Sequence, residues 1–260
     1  LSGIKLVEFV GIGPGPFCGM ILADLGAEII RIDRASQHGQ GNTIDFQHRS
    51  KSSLSADLKN PKTIEEIKKL LASVDGLIEG FRPGVMERLG LGPEECLKIN
   101  SSLVYGRMTG WGQDGPLAKT AGHDINYIAL TGALELMGRK DETPPPPLNL
   151  VGDFGGGGMF LALGIVSAIL NIKQGGKGQV VDAAMVDGAS VLMSMFYAFK
   201  ASGFWLEERE SNMLDGGAHF YDTYECSDGK FLAIGAIESQ FYAVLLDKLE
   251  ISDAKFQNQH

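Results

Sequence analysis

The first thirty-three residues constrain the fold more than any other stretch of this chain. Ile4 to Phe9 is a short apolar run, a Gly/Pro turn follows, a helical pattern covers about Pro16 to Leu25, and Glu28 to Asp33 is a second apolar run. Such runs, bounded by turn residues, read as buried strands. Two strands joined through a helix lie parallel, and a parallel sheet is covered on both faces. The alternation continues. Pro61 to Ser73 has a Leu/Ile face and Pro at its first helical position. Gly76 to Glu79, Leu103 to Met108 and Gln179 to Ala183 read as strands, and Gly155 to Asn171 and Met185 to Ala201 as apolar helices. The fold class is therefore α/β, with a Rossmann-like parallel sheet in a large domain.

Two stretches stand outside this pattern. Gln37 to Ser53 is polar and without period, which predicts a loop, and Pro144 to Pro147 is a rigid polyproline stretch. After about Gly203 the style changes. Tyr221 to Cys226, the turn Ser227 to Lys230, and Phe231 to Gly235 read as a β-hairpin, and Ser239 to Leu249 as a helix. The expected division is a large domain over 1–203, with a linker helix at about 185–203, and the start of a smaller α+β domain over 204–260.

Composition narrows the partners. An apolar share of 44% supports a full core, and a net charge of −9 with pI about 5.1 argues against general nucleic-acid binding. No apolar run approaches a membrane span without Gly or charge, so no membrane partner is expected. Cys18, Cys96 and Cys226 are too widely spaced for a disulfide framework and suit a reducing compartment. The five His residues have no metal-ligand spacing, so no metal is expected.

The chemistry-bearing residues sit beside glycine-rich turns. His123 lies in AGHDINY, Asp153 in GDFGGGG, and Glu238 in AIGAIESQFY. His, Asp and Glu move protons near neutral pH, and small apolar surroundings suit pKa tuning. Each has a structural reading as well. Asp124 and Asp153 precede helices, where a carboxylate also satisfies backbone N–H groups, and Glu238 alone is an ordinary exposed acid. VEFVGIGPGPF is close to a dinucleotide fingerprint, but Pro16 stands where the third glycine belongs, which disfavours a nicotinamide-dependent dehydrogenase. Arg34 follows a strand end, and Arg82 and Arg88 flank a helix start, the two places where anions bind in such folds. Arg49 and Lys51 are weaker phosphate candidates. Met185, Met193, Met195 and Met213 fit either core packing or a pliable apolar surface.

LSGIKLVEFVGIGPGPFCGMILADLGAEIIRID, LIEGFRPGVMERLGLGPEE, YGRMTGWGQDGP, AGHDINY, PPLNLVGDFGGG, GKGQVVDAAMVDG and NMLDGGAHFYDTYECSDGKFLAIGAIESQFY together resemble the 2-methylacyl-CoA racemases of the family III CoA-transferase superfamily. The resemblance covers nearly the whole chain. It implies that 2-methyl-branched acyl-CoA thioesters are epimerised through an enolate, with His123, supported by Glu238, and Asp153 as bases on opposite faces. It implies CoA contacts from Arg34, Ala56, Arg82, Arg88, Asp124 and Tyr127, and places Ile12 on the acyl side. Coenzyme A enters as part of the substrate, and no redox or metal cofactor is expected. Backbone N–H groups of the Asp153–Gly156 turn are candidates for holding the enolate oxygen. The resemblance further implies an interlocked homodimer, a smaller domain that continues beyond residue 260, and a location in the cytoplasm for a bacterial source or in mitochondria or peroxisomes for a eukaryotic one. Two alternatives stay open. One is CoA transfer with Asp153 as a nucleophile forming an acyl anhydride, where a second base would be superfluous. The other is an inactive CoA-ester binding protein, against which the intact His123, Asp153 and Glu238 argue.

Overall fold

The computed structural model describes residues 1–35 and 46–259. The chain forms two compact units. The first comprises Leu1–Thr131 and Pro147–Met193, and the second Gly132–Pro146 and Ser194–His260.

In the first unit, six parallel strands form one sheet: β1 (Lys5–Phe9), β2 (Glu28–Arg34), β3 (Lys51–Ala56), β4 (Gly76–Glu79), β5 (Val104–Thr109) and β6 (Gln179–Ala184). Their spatial order is β3-β2-β1-β4-β5-β6. That is a Rossmann order, with its reversal between β1 and β4. The central strands are apolar on both sides because helices cover both faces: every residue of β4 and β5 is buried. One face carries α1 (Pro14–Asp24) and α6 (Phe160–Lys173), packing Leu6, Ile29 and Val104 against Leu22, Leu161 and Ile165. The other carries α2 (Pro61–Leu71) and α4 (Pro93–Ile99), packing Val7, Leu77 and Tyr105 against Ile67, Leu71 and Cys96. α2 starts where Asn60 accepts the Lys62 N–H at 3.0 Å ahead of Pro61, a capped start with Pro at the first position.

Several sequence expectations need correction. The expected loop over Gln37 to Ser53 lies outside the described residues at 37–45. Beyond them it contains a 3₁₀ turn at Phe46–His48 and the start of β3. β3 is a polar edge strand, KSSLSA, whose short apolar content hid it. The expected helix from Gly155 begins instead at Leu150 as a π-helical segment, Leu150–Met159, and continues as α6. This continuous stretch, Leu150–Lys173, is long and apolar enough to cross a bilayer by length and composition. In this fold, Leu161, Ile165 and Ala168 of α6 are fully buried against the sheet. The expected helix Met185 to Ala201 is two helices, α7 (Met185–Leu192) and α8 (Ser194–Ala201).

Two buried ion pairs tie sheet to helices. Lys51 Nζ of β3 lies 2.6 Å from Glu8 Oε2 of β1 and donates to the Pro16 carbonyl of α1 at 2.8 Å. Both side chains are 1% exposed. Burial pushes the Glu8 carboxyl up to about 7 and the Lys51 ammonium down, with each partner opposing the other's shift. Gly19 makes the approach possible, since a Cβ there would fall 1.7 Å from Glu8 Oε2. In the second pair, Arg107 bonds Glu79 at 2.9 Å and Glu87 at 2.9 Å.

The second unit contains the antiparallel hairpin β7 (Tyr221–Glu225) and β8 (Phe231–Gly235), with α8 and α9 (Ser239–Lys248). The hairpin stands within a residue of its sequence expectation. Arg139 joins it to the preceding loop through Asp222 at 2.8 Å and Glu210 at 2.9 Å. His219 Nε2 meets Tyr242 Oη at 2.7 Å.

Breaking a buried pair strands one charge. Lys51→Met is therefore expected to cost about 3–5 kcal/mol of unfolding free energy, and adding Glu8→Gln to recover most of it, because no unpaired charge remains. Chemical denaturation of the two variants measures both.

Candidate active site

The site is assembled at the C-terminal ends of β1 and β4, the crevice where open α/β sheets take ligands. β1 runs into Gly11-Ile12-Gly13. Gly13 has φ +68°, a left-handed conformation that L side chains disfavour, and it caps α1. Its α-carbon lies against Asp153, since a Cβ there would be in ordinary contact with Asp153 Oδ2 at 3.4 Å. Ile12 stands 88% exposed beside it.

Asp153 sits in the π-helical segment. That segment is packed backbone to backbone by glycines. A Cβ at Gly156 would meet the Ala189 nitrogen of α7 at 2.6 Å, and one at Gly188 would meet the Gly156 oxygen at 1.8 Å. A Cβ at Gly158 would meet the Pro14 oxygen of α1 at 2.9 Å, while Phe17 and Phe154 stack at 4.5 Å between the same two elements. The glycine run is thus a tight seat between α1 and α7.

The third wall is α5 (Asp124–Leu130), with His123 as its N-terminal cap. Asn126 Oδ1 accepts the His123 N–H at 3.0 Å. Asp124 is 5% exposed, and its Oδ2 accepts the Asp153 N–H at 2.7 Å. The His123 side chain is exposed. Burial raises the Asp153 carboxyl above its ordinary range. Asn149, donating at 3.4 Å, and the His123 charge pull it down, and the Asp124 charge pushes it further up. Tyr127 is buried under this wall, its ring edge-on to Trp111 at 4.7 Å, with Gly110 and Gly122 leaving room for it. Burial, with Asp153 and Asp124 nearby, pushes its phenol up to about 12.

His123, Asp124, Tyr127 and Asp153 are therefore brought together in the first unit. Glu238 belongs to the second, where it caps α9 with an exposed side chain that makes no capping hydrogen bond. The backbone N–H groups proposed for the enolate oxygen are in use. The Asp153 N–H donates to Asp124 and the Phe154 N–H to the Asn149 carbonyl at 3.2 Å. Gly155 and Gly156 fall within the π-helical segment, whose bonding pattern supplies acceptors five residues back.

The basic candidates divide. Arg34 ends β2 and is exposed. Arg82 and Arg88 are exposed on either side of the single-turn α3 (Val85–Arg88). So short a helix has little dipole of its own, and anion affinity there rests on the guanidinium groups. Glu79 holds this turn in place by accepting the Phe81 N–H at 2.8 Å while it pairs with Arg107. Lys51 is committed to Glu8, and Arg49 to Asp24 at 2.9 Å, so neither is a free phosphate ligand. Ala56 ends β3 and lines a groove of about 440 Å³ with Leu54, Ser55, Lys62, Ile67 and Leu70. Lys62 went unnoticed in sequence; its only signal is its place in the first turn of α2. Met185 and Met193 are buried in the first unit, whereas Met195 and Met213 are exposed in the second.

Residues 1–260 match the family model described as CoA-transferase family III. The chain belongs to this family. It is 48% identical over 259 residues to the alpha-methylacyl-CoA racemase of Mus musculus and 47% identical to that of Homo sapiens, covering 100% of this chain and 67% of each relative. Among solved structures it is similar to a CaiB/BaiF family protein from Brucella suis, with a TM-score of 0.81, 28% identity, and coverage of 99% of this chain and 72% of that one.

The seat of Asp153 depends on the absence of one methyl group. Gly188→Ala would force α7 off the π-helical segment, and an overpacking cost of about 1–3 kcal/mol is expected. Thermal unfolding checks it, as a lowered Tm.

Proposed function

We propose that this chain carries the catalytic face of a racemase that interconverts the (R) and (S) forms of 2-methyl-branched acyl-CoA thioesters. One observation carries the reading: a chain 48% identical to a curated alpha-methylacyl-CoA racemase holds Asp153, its acidity weakened by burial, within electrostatic reach of His123. Inversion beside a thioester carbonyl needs one base to take the α-proton and an acid on the opposite face to return one. Both groups work best with pKa values drawn toward the operating pH. Burial does this for Asp153. His123 would serve the opposite face, and Glu238 would orient it or hold its charge, within one chain or across a homodimer.

The enolate oxygen needs a preorganised donor. The first-turn amides of α5, at Asp124 and Ile125, adjoin both bases and lack intrahelical acceptors. Arg34, Arg82 and Arg88 would take the CoA phosphates, with Ala56 beside the adenine. Neither a metal nor a redox group has a step in this chemistry. A homodimer accords with the exposed Leu163, Leu170 and Val180 on the first unit and Phe231, Leu232 and Phe241 on the second.

In heavy water, the full-length protein is expected to place deuterium at the α-carbon of both epimers, read by mass spectrometry. His123→Ala and Asp153→Asn should each lose exchange preferentially with one epimer, by about 10²–10⁴-fold, and with opposite preferences. Transfer of CoA to a free acid without deuterium uptake would replace this reading with the transferase one.

Arg34→Ala, Arg82→Ala and Arg88→Ala are each expected to weaken free CoA binding by about 1.5–3 kcal/mol, in a salt-sensitive way. Calorimetry with unchanged affinity in all three would remove them from the site.

A further inference from the structure

The Asp124 side chain has a geometry that a CoA contact does not explain. It is turned inward, 5% exposed, at the junction of α5 and the π-helical segment. Its Oδ2 accepts the Asp153 N–H at 2.7 Å. A Cβ at Gly152 would lie 2.8 Å from that same oxygen, so the preceding residue is one that lets the carboxylate in. Its Oδ1 is buried and has no hydrogen-bond partner among the described residues. A buried carboxylate with one oxygen unsatisfied costs free energy.

We propose that Asp124 is a positioning residue for Asp153: by holding the backbone amide of Asp153 it fixes where that carboxylate stands, and its own charge acts on Asp153 across the short gap between them. This rests on the racemase reading only for the identity of the reaction; the coupling between the two aspartates is a property of the fold. The groups facing Asp153 are few. Asp124, His123 and the buried Tyr127 phenol come from α5 and its cap, Asn149 precedes the π-helical segment, and Gly13 of the α1 turn contributes no charge. Asp124 is the only anion among those acting on it. Two like charges in a partly buried site oppose simultaneous ionisation, so Asp124 makes Asp153 a weaker acid and hence a better proton acceptor near neutrality.

The test compares the full-length protein with its D124A and D124N forms. NMR titration of the Asp153 carboxyl carbon is expected to give a lower midpoint in D124N than in the parent, since a neutral amide replaces the neighbouring charge. An unchanged or higher midpoint in a folded D124N overturns the proposal, whatever the enzyme's activity. For the epimer that Asp153 deprotonates, the acid limb of α-deuterium exchange should move to lower pH in both variants. D124A should also lose on the order of a hundredfold in kcat, the cost of about 1 Å of misplacement. D124N keeps an oxygen for the Asp153 N–H and should restore a large part of that loss. A rise in KM and a weakened affinity for free CoA, with kcat and the pH profile unmoved, would make Asp124 a CoA contact and overturn the proposal. Equal losses in both variants without a pH shift would reduce it to a structural residue. If the parent shows no exchange while the D124N midpoint still falls, the racemase reading fails and the aspartate coupling stands.

Discussion

Everything at the candidate site depends on a contact between two backbones. Gly156 and Gly188 let the π-helical segment and α7 approach so closely that a single methyl group on Gly188 would overlap a carbonyl oxygen. Gly158 does the same toward α1. Glycine usually loosens a chain, and its entropic cost on folding is the largest of any residue. Here the cost is offset by tight packing on two sides, and the product is a stretch that carries Asp153 at a defined place. The widened turn of the segment also occupies its own N–H groups.

A second layer of constraint lies beneath. The sheet is buried on both faces, so charges within it need partners. Lys51 pairs with Glu8 and also donates to the Pro16 carbonyl in the first turn of α1. The N-terminus of that helix brings Gly13 against Asp153. Glu79 and Arg107 act likewise at the end of β4, where Glu79 also holds the Phe81 amide next to Arg82. The same physical device, a buried ion pair that also holds a backbone group, therefore stands behind the turn that carries Ile12 and behind the candidate phosphate side.

Much of this was legible in the chain. β1, α1 and β2 fall within two residues of their apolar runs, because short hydrophobic strands flanked by Gly and Pro leave few other readings. The hairpin was equally plain from Ser227-Asp228-Gly229-Lys230 between two strand-like runs. β3 was missed because an edge strand needs little apolar content. The π-helical segment was unreadable because its widened turn adds one residue and leaves no mark in a run of glycines. Charge alone misled at Lys51, since a lysine read along the chain has no visible partner, and Glu8 lies forty-three residues away. His123 and Asp153 were singled out by their company of small residues. The inward turn of Asp124 leaves no mark in the chain, because it depends on room made by Gly152, twenty-eight residues on.

The central claim is that the glycine run is a fixed seat for Asp153. Residue-resolved amide hydrogen exchange of the full-length protein tests it most directly. The account predicts that the amides of Asp153 to Gly158 are protected nearly as well as those of β4 and β5, because each is hydrogen-bonded and covered by α1, α5 or α7. Exchange of that stretch at the rate of an open loop, with β4 and β5 still protected, would contradict it.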